Sequence, residues 1–242
     1  MRIIQSNFYL FFTLKGNISS GKSTILKILL SKYGSKMKLI EEPVEEWNNL
    51  NLLKLFYDQK DRWSFTFEHF VQLSRLRAHM ASLNEARRYQ NKIIILERSL
   101  WSSHHVFTKN TFEENGIKKF EYDILDSYYK VFSKQLLNDS ESSMLPFKII
   151  YLKTSPNVCY ERLKGRSREA ETNVSLSYLT KIHDKYEQWI TSIVNKNPSL
   201  VSIIDGDEHK FTVAQEIENL VGTQRFESDE DENEVKIKLS LK

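Results

Sequence analysis

Residues 16–24, Gly16-Asn17-Ile18-Ser19-Ser20-Gly21-Lys22-Ser23-Thr24, fit the pattern G-x-x-x-x-G-K-S. An apolar segment precedes them and an amphipathic segment follows, which is the strand–loop–helix context that gives this pattern its meaning. The glycines let backbone N–H groups curl around phosphate oxygens, and the following helix presents the positive end of its dipole. Lys22 is expected to reach the outer phosphates, and the Ser23 hydroxyl to ligate Mg²⁺. The stretch predicts a triphosphate site formed by Gly16, Asn17, Ile18, Ser19, Ser20, Gly21, Lys22, Ser23 and Thr24.

Apolar strands and helical segments alternate along the rest of the chain. This alternation predicts an α/β fold, in which a five-stranded parallel sheet is flanked by helices in a three-layer P-loop arrangement. The predicted strands are Phe8–Leu14, Lys38–Glu41, Lys92–Glu97, Phe147–Lys153 and Ser199–Ile204. The predicted helices are Gly21–Tyr33, Trp63–Arg88, Tyr122–Leu137, Ser175–Val194 and Phe211–Val221.

Length, charge and cysteine content exclude several classes of protein. The 242 residues suit one α/β domain or at most two small ones, and the net charge of +3 is too small for a DNA-coating protein. One cysteine excludes an internal disulfide framework and favours a reducing compartment. The uncharged stretch Ile3–Leu14 is too short to span a bilayer. We expect no membrane or nucleic-acid partner and a cytoplasmic location, with a mitochondrial one left open.

The carboxyl end of the chain differs in charge from the rest. Six carboxylates lie within residues 227–234, whereas residues 1–226 hold 32 basic and 26 acidic residues, a net charge of +6. The sequence therefore predicts one domain over 1–226 and an acidic, solvated tail over 227–242. Val235–Lys242 alternates apolar residues with lysine, so a final strand and a disordered end are equally compatible with it.

Two predicted strands end in carboxylates. Glu42 follows the second strand and is held extended by Pro43, and Glu97-Arg98-Ser99 ends the third. The carboxyl ends of parallel strands open onto the ligand crevice, so Glu42 could take a proton from an attacking hydroxyl. Glu97 could complete a Mg²⁺ site with Ser23, and Arg98 could stabilise transferring phosphate. The alternatives are a surface acidic turn and a simple ion pair at a strand end.

Three arginines follow the fourth strand. Arg162 and Arg166 are four residues apart and share a helix face, and Arg168 comes two residues later. Phosphoryl transfer needs positive charge over the γ-phosphate on an element that can close. An arginine-rich lid over about residues 161–172 would supply it. A basic surface helix and a nucleic-acid patch are the alternatives.

Several of these segments together resemble one family. GNISSGKST, EEPVEEW, DRWSFTFEHFVQLSRLR, LERSLWSSHHVF and ERLKGRSREAE followed by SLSYLTKIHDKYEQWI have the order and spacing of the deoxynucleoside kinases. The resemblance covers residues 14–206. It implies a P-loop kinase fold and transfer of the γ-phosphate of ATP to a deoxynucleoside 5′-hydroxyl. Family members are commonly homodimers and do not bind nucleic acid.

The resemblance also implies roles for individual residues. Glu42 resembles the general base, with Arg98 as its partner beside the 5′-oxygen. Ser23 and Glu97 match the Mg²⁺ positions, and Tyr57 and Glu171 match the pair that holds the sugar 3′-hydroxyl. Arg162, Arg166 and Arg168 match the lid arginines. The apolar walls of the base pocket would be Ile18, Val44, Trp47, Leu53, Phe56, Phe67 and Phe107, and helical spacing puts Phe67, Glu68, Val71 and Arg75 on one face.

The chain departs from the family at three positions. Glu68 stands where most members carry Gln, and Ser103 stands where the deoxycytidine and deoxyguanosine types carry the Asp that pairs with the arginine matched by Arg75. We hypothesise that Glu68 replaces this Asp as the partner of Arg75. An ionised Glu only accepts hydrogen bonds, which favours the adjacent N–H donors of guanine and hence deoxyguanosine, then another purine or cytosine deoxynucleoside. Lys15 stands where an acidic residue is common, and the sequence suggests no mechanism for it.

Two other functions are compatible with a P-loop. A nucleoside monophosphate kinase of the thymidylate type would need a further basic site for the phosphate of its acceptor. A catalytically inert module that senses nucleotides would not need Glu42, Arg98 and the lid arginines together.

Overall fold

The computed structural model describes residues 10–88, 93–140, 147–166, 168 and 171–222. Its strands form one all-parallel sheet in the order β2-β3-β1-β4-β5, which confirms the predicted three-layer P-loop kinase fold. The strands are β1 (Leu10–Lys15), β2 (Met37–Ile40), β3 (Ile93–Glu97), β4 (Phe147–Lys153) and β5 (Val201–Asp205).

Helices connect successive strands and cover both faces of the sheet. The helical segment 100–113, here α5, is continuous and includes a π-helical turn over Ser103–Thr108. The other helices are α1 (Lys22–Tyr33), α2 (Val44–Asn49), α3 (Leu52–Asp58), α4 (Lys60–Arg88), α6 (Lys119–Ser140), α7 (Pro156–Arg166), α8 (Leu176–Val194) and α9 (210–222).

The predicted strands and helices lie within a few residues of their observed positions. Some predicted segments lie outside the described residues: Phe8, Tyr9, Lys92, residues 167, 169 and 170 of the lid, and the tail 227–242 with the possible strand Val235–Lys242. The predicted helices did not include α2, α3, α5 or α7, although the spacing of Arg162 and Arg166 indicated a helical face within α7. The first two have six and seven residues, too few to develop a helical period, and the π-turn of α5 breaks the 3.6-residue repeat.

Two apolar layers hold the sheet between its helices. On one face Phe12, Ile95 and Ile150 pack with residues of α1 and α9. On the other face Ile149 and Tyr151 pack with residues of α7 and α8. Successive side chains of β4 therefore enter opposite layers, as they must in a strand covered on both sides.

This arrangement brings the carboxyl ends of the strands to one edge of the sheet. The P-loop leaves β1 there, Glu42 follows β2, and Glu97 ends β3 in register with Leu14. Ser99 caps α5: its Oγ accepts from the Ser102 amide, and the Ser102 Oγ accepts from the Ser99 amide. Among the described residues, the helices lack the combined length and apolar character that crossing a bilayer requires.

Candidate active site

The conformation of the P-loop is set by positive backbone angles, by a contact within the loop and by a contact with α8. Gly16 and Gly21 have φ of 154° and 104°, which side chains rarely adopt. Lys22 Nζ donates to the Asn17 carbonyl at 2.7 Å and lies along the inside of the loop. The Asn17 amide donates to the Leu179 carbonyl on α8 at 2.8 Å. The loop that the sequence predicted for phosphates is therefore formed and anchored.

An oxygen-rich pair lies beside the loop. Ser23 Oγ donates to Glu97 Oε1 at 3.0 Å, so the first turn of α1 and the end of β3 meet. A hydroxyl and a carboxylate are ligands that Mg²⁺ accepts, and Mg²⁺ takes its remaining ligands from water and substrate phosphates. The two residues predicted for the ion are adjacent and fit it.

Glu42 is buried between two guanidinium groups. Arg98 Nη1 donates to its two carboxylate oxygens at 2.9 and 2.7 Å, and Arg75 Nη2 donates to Oε1. Burial alone would raise the pKa of Glu42, but the charges of Arg98 and Arg75 outweigh it and lower the pKa to about 2. The carboxylate is therefore ionised at neutral pH and can accept a proton.

The residues around Glu42 line one cavity of about 1110 Å³ that extends to the P-loop. Phe56 and Phe67 stack with ring centroids 4.7 Å apart, and Trp47 meets Phe67 edge to face at 5.8 Å. Of the residues predicted for the site, Gly16, Asn17 and Ser103 lie behind the wall. The predicted residues that line the cavity are Ile18, Ser19, Ser20, Gly21, Lys22, Ser23, Thr24, Glu42, Val44, Trp47, Leu53, Phe56, Tyr57, Phe67, Glu68, Val71, Arg75, Glu97, Arg98, Phe107, Arg162, Arg166, Arg168 and Glu171.

The hypothesis that Glu68 pairs with Arg75 is wrong in this structure. Glu68 instead accepts hydrogen bonds from Thr108 Oγ1 and Thr111 Oγ1, both at 2.8 Å, one on each oxygen. Arg75 donates to Ser103 Oγ and pairs with Glu42. The physical reason is that α5 offers Glu68 two hydroxyl donors, while Arg75 finds the carboxylate of Glu42. Burial raises the pKa of Glu68 to about 6, against the opposing effect of the two threonines.

The lid arginines contact two different groups. Arg162 Nη1 donates to the carbonyls of Ser20 and Gly206, at 3.1 and 2.9 Å. Arg166 pairs with Glu171, and Arg168 lies 3.6 Å from the same carboxylate. Arg162 therefore connects the P-loop to the turn that follows β5. Arg166 and Arg168 contact Glu171, the residue predicted to bind the sugar 3′-hydroxyl.

Comparison with known proteins agrees with this geometry. A family model described as deoxynucleoside kinase matches residues 12–226. The chain belongs to the deoxynucleoside kinase family. It is 35% identical over 200 residues to deoxycytidine kinase 2 of Gallus gallus, covering 74% of this chain and 72% of that protein. It is 32% identical over 200 residues to the mitochondrial deoxyguanosine kinase of Xenopus laevis, with the same coverage. It is 31% identical over 197 residues to deoxycytidine kinase of Homo sapiens, covering 74% of each chain.

Membership in the deoxynucleoside kinase family confirms the enzyme class predicted from the sequence. The chain is a phosphotransferase that acts on nucleosides, and ATP is its phosphate donor. An inert nucleotide-sensing module is thereby disfavoured.

Sequence reasoning missed one wall of this kinase's cavity. Residues 206–210, which follow β5, line it together with Tyr178 of α8. A Cβ on Gly206 would lie 2.0 Å from Thr154 Oγ1, so this turn packs closely against β4. The signal was available, because β5 ends at the same edge of the sheet as β1 and β3. The pattern of apolar strands identifies that edge of the sheet but not which loops reach the ligand.

We predict that Gly16→Ala lowers ATP affinity about tenfold or more, since a strained backbone costs about 1–3 kcal/mol. Its Cβ would lie 2.7 Å from Ser20 Oγ and 2.8 Å from the Leu152 carbonyl. Titration of the purified variant with a fluorescent ATP analogue measures the effect. Gly222→Ala is the control, because its Cβ would meet no described atom within 4 Å. Equal affinities for the two variants would contradict the prediction.

Proposed function

We propose that this kinase phosphorylates a deoxynucleoside at its 5′-hydroxyl, with Glu42 as the general base. The observation that carries the proposal is the position of the Glu42–Arg98 pair. It lies between the P-loop, where phosphate is expected, and the aromatic pocket, where a base would fit. Arg98 Nη2 also lies 3.5 Å from the Gly16 carbonyl and so connects the two regions.

The proposed reaction follows from these positions. Glu42 accepts the proton of the 5′-hydroxyl while the 5′-oxygen forms its bond to the γ-phosphorus of ATP. The bond from that phosphorus to the β,γ-bridging oxygen breaks, and ADP leaves. Lys22, Arg98 and the lid arginines Arg162, Arg166 and Arg168 offset the negative charge of the transferred group. Phosphoryl transfer depends chiefly on such positioning and charge stabilisation.

We propose that Ser23 and Glu97 hold the Mg²⁺ that accompanies ATP. The support is their 3.0 Å contact beside Lys22 and the all-oxygen chemistry of the pair. When bound, the ion neutralises charge on the β- and γ-phosphates.

Tyr57 and Glu171 are the proposed ligands of the sugar 3′-hydroxyl. Both line the cavity, and burial followed by the charge of Glu171 raises the pKa of Tyr57, so the phenol stays protonated. Glu171 also holds Arg166 and Arg168. Sugar binding and the position of the lid are therefore linked through one carboxylate.

We propose a preference for deoxyguanosine, supported by the environment of Glu68. Thr108 and Thr111 each occupy one acceptor site of the carboxylate and fix its plane, and each oxygen keeps a second site. Guanine offers N1–H and N2–H₂ side by side, which suits two acceptors. Cytosine and adenine offer one donor beside an acceptor nitrogen and fit an ionised Glu less well. Relatives are named for both deoxycytidine and deoxyguanosine, so their names leave the choice open.

A monophosphate acceptor is less compatible with this site. It would need a cation free to bind its own phosphate, whereas Arg75 and Arg98 both pair with Glu42 within the described structure. An assay that offers nucleoside and monophosphate to the same enzyme distinguishes the two kinases.

We also propose that the kinase is a homodimer. The apolar side chains Leu73, Phe120, Ile124, Tyr128 and Val131 are exposed, and the last four repeat along one side of α6. His69 of α4 stacks on Tyr128 at 4.6 Å, so α4 and α6 present one continuous face. A two-fold axis through such a face would bury it against itself.

The domain boundary and the compartment stay predictions. We propose that residues 1–226 form the kinase domain, that 227–242 form an acidic tail, and that the enzyme is cytoplasmic. The family match over residues 12–226 supports the first of these.

Glu42→Gln should lower kcat by about 10²–10⁴-fold, because it removes the proton acceptor but keeps its shape. Steady-state assays with ATP and a deoxynucleoside measure the effect. Glu46→Gln on α2 is the matched control, since Glu46 pairs with Arg77 at the surface. Full activity in the Glu42 variant would refute its role as base.

Glu68→Gln should lower the kcat/KM ratio of deoxyguanosine to deoxycytidine by about tenfold at pH 8, because one acceptor becomes a donor. In the native enzyme the ratio should be highest well above pH 6 and fall as pH drops through about 6, where Glu68 takes up a proton. The variant should lose this pH dependence. Ratios that do not change across the variant and pH series would disprove the proposed base selectivity.

Val131→Lys should convert the dimer to a monomer, because it places a charge in the apolar face. Multi-angle light scattering measures the mass directly. Leu30→Lys on α1 is the control, since Leu30 is exposed but lies on another helix. A native enzyme that is monomeric at micromolar concentration would contradict the proposal.

A further inference from the structure

Lys15 is buried behind the wall of the cavity, at the end of β1. Its exposed fraction is 0%, and its backbone is in register with Tyr151 of β4. The Nζ atom makes a hydrogen bond with Ser99 Oγ at the start of α5. Lys15 is thus a buried cationic residue that the proposed reaction does not use.

The surroundings of Lys15 are unfavourable for a charged amine. Burial lowers its pKa well below the ordinary value, and Arg75 and Arg98 lower it further, with only Glu42 acting in the opposite direction. Burial lowers the pKa of His79 on α4 well below its usual value, and the nearby Lys15 lowers it further. The ion pairs found among the described residues do not include Lys15. Burying an amine in such surroundings costs free energy of folding, and residues with such a cost are characteristic of functional sites.

The segment that Lys15 contacts is strained. Arg98 has φ of 58°, in the left-handed region that residues other than glycine seldom adopt. Such a strained conformation is kept only where several surrounding contacts hold the backbone in place. The Arg98 amide donates to the Leu14 carbonyl at 2.9 Å, Arg75 Nη1 lies 3.5 Å from the Ser99 carbonyl, and Lys15 holds the Ser99 side chain.

We propose that Lys15 is a positioning residue for phosphoryl transfer. By holding Ser99, it keeps the Glu97–Arg98–Ser99 turn in the conformation that sets Arg98 against Glu42 and Glu97 against Ser23. The proposal rests on the proposed function, because it assumes that Glu42 and Arg98 act on the 5′-hydroxyl. Lys15 itself touches neither the cavity nor the reacting atoms.

The test compares Lys15→Met, Ser99→Ala, their double variant and Ser102→Ala. Lys15→Met keeps the buried stem and removes the donor, and Ser99→Ala removes the partner. Each should lower kcat by about 10- to 100-fold, as a small misplacement of catalytic groups does, with the KM for the deoxynucleoside within about threefold of native. The double variant should lose no more than Lys15→Met alone, because the two residues act as a pair.

Ser102→Ala separates positioning from stability. It removes the other half of the α5 cap and leaves the Lys15–Ser99 contact in place. It should share the fall in melting temperature with Ser99→Ala but keep kcat within about threefold of native. If Lys15→Met does not fold, the comparison of Ser99→Ala with Ser102→Ala decides the question.

Any of three results would overturn the positioning role. The first is a native kcat in Lys15→Met, and the second is an equal loss of kcat in Ser99→Ala and Ser102→Ala. The third is a double variant whose loss of kcat is the product of the two single losses. Failure of the native enzyme to phosphorylate any of the four deoxynucleosides would instead overturn the proposed function and this inference with it.

Discussion

The buried carboxylate of Glu42 and the two arginines around it constrain the whole site. An ionised group can be buried at this depth only when it is paired and hydrogen-bonded, and Arg98 and Arg75 meet that requirement from β3 and α4. Each arginine has further contacts, with the Gly16 carbonyl and with Ser103. The ion-pair cluster therefore fixes the relative positions of the P-loop, α4 and α5.

The same cluster determines how strong a base Glu42 can be. A carboxylate whose pKa is lowered to about 2 stays ionised but has little affinity for a proton. In the proposed reaction, proton transfer to Glu42 is therefore favourable only late, when the 5′-oxygen already bonds to phosphorus. This suits a loose transition state, in which charge on the transferred group and alignment of the reacting oxygens matter more than early deprotonation.

Most of the residues predicted for the site line one cavity, whereas one predicted contact between them, Glu68 with Arg75, is wrong. The P-loop, the parallel sheet implied by alternation and the carboxylates at strand ends depend on local patterns, which the sequence shows directly. The hydrogen-bond partners of Glu68 could not be predicted in this way. Thr108 and Thr111 lie on α5, and its π-turn changes which side chains face α4. The loop 206–210 was missed because its residues carry no motif and reach the cavity only through sheet topology.

Ser103, Glu68 and Lys15 each interact with Arg75, the first through a hydrogen bond and the other two through its charge. With a hydroxyl at Ser103, one guanidinium nitrogen of Arg75 has only a neutral partner there, and the other turns to Glu42. Glu68 has no cation within bonding distance in the described structure. Its two oxygens accept hydrogen bonds from the neutral hydroxyls of Thr108 and Thr111, and each oxygen can accept one more from the cavity. Lys15 lies behind this cluster and donates a hydrogen bond to Ser99 Oγ. The pKa of Glu42 is thus lowered to about 2, while burial raises the pKa of Glu68 to about 6.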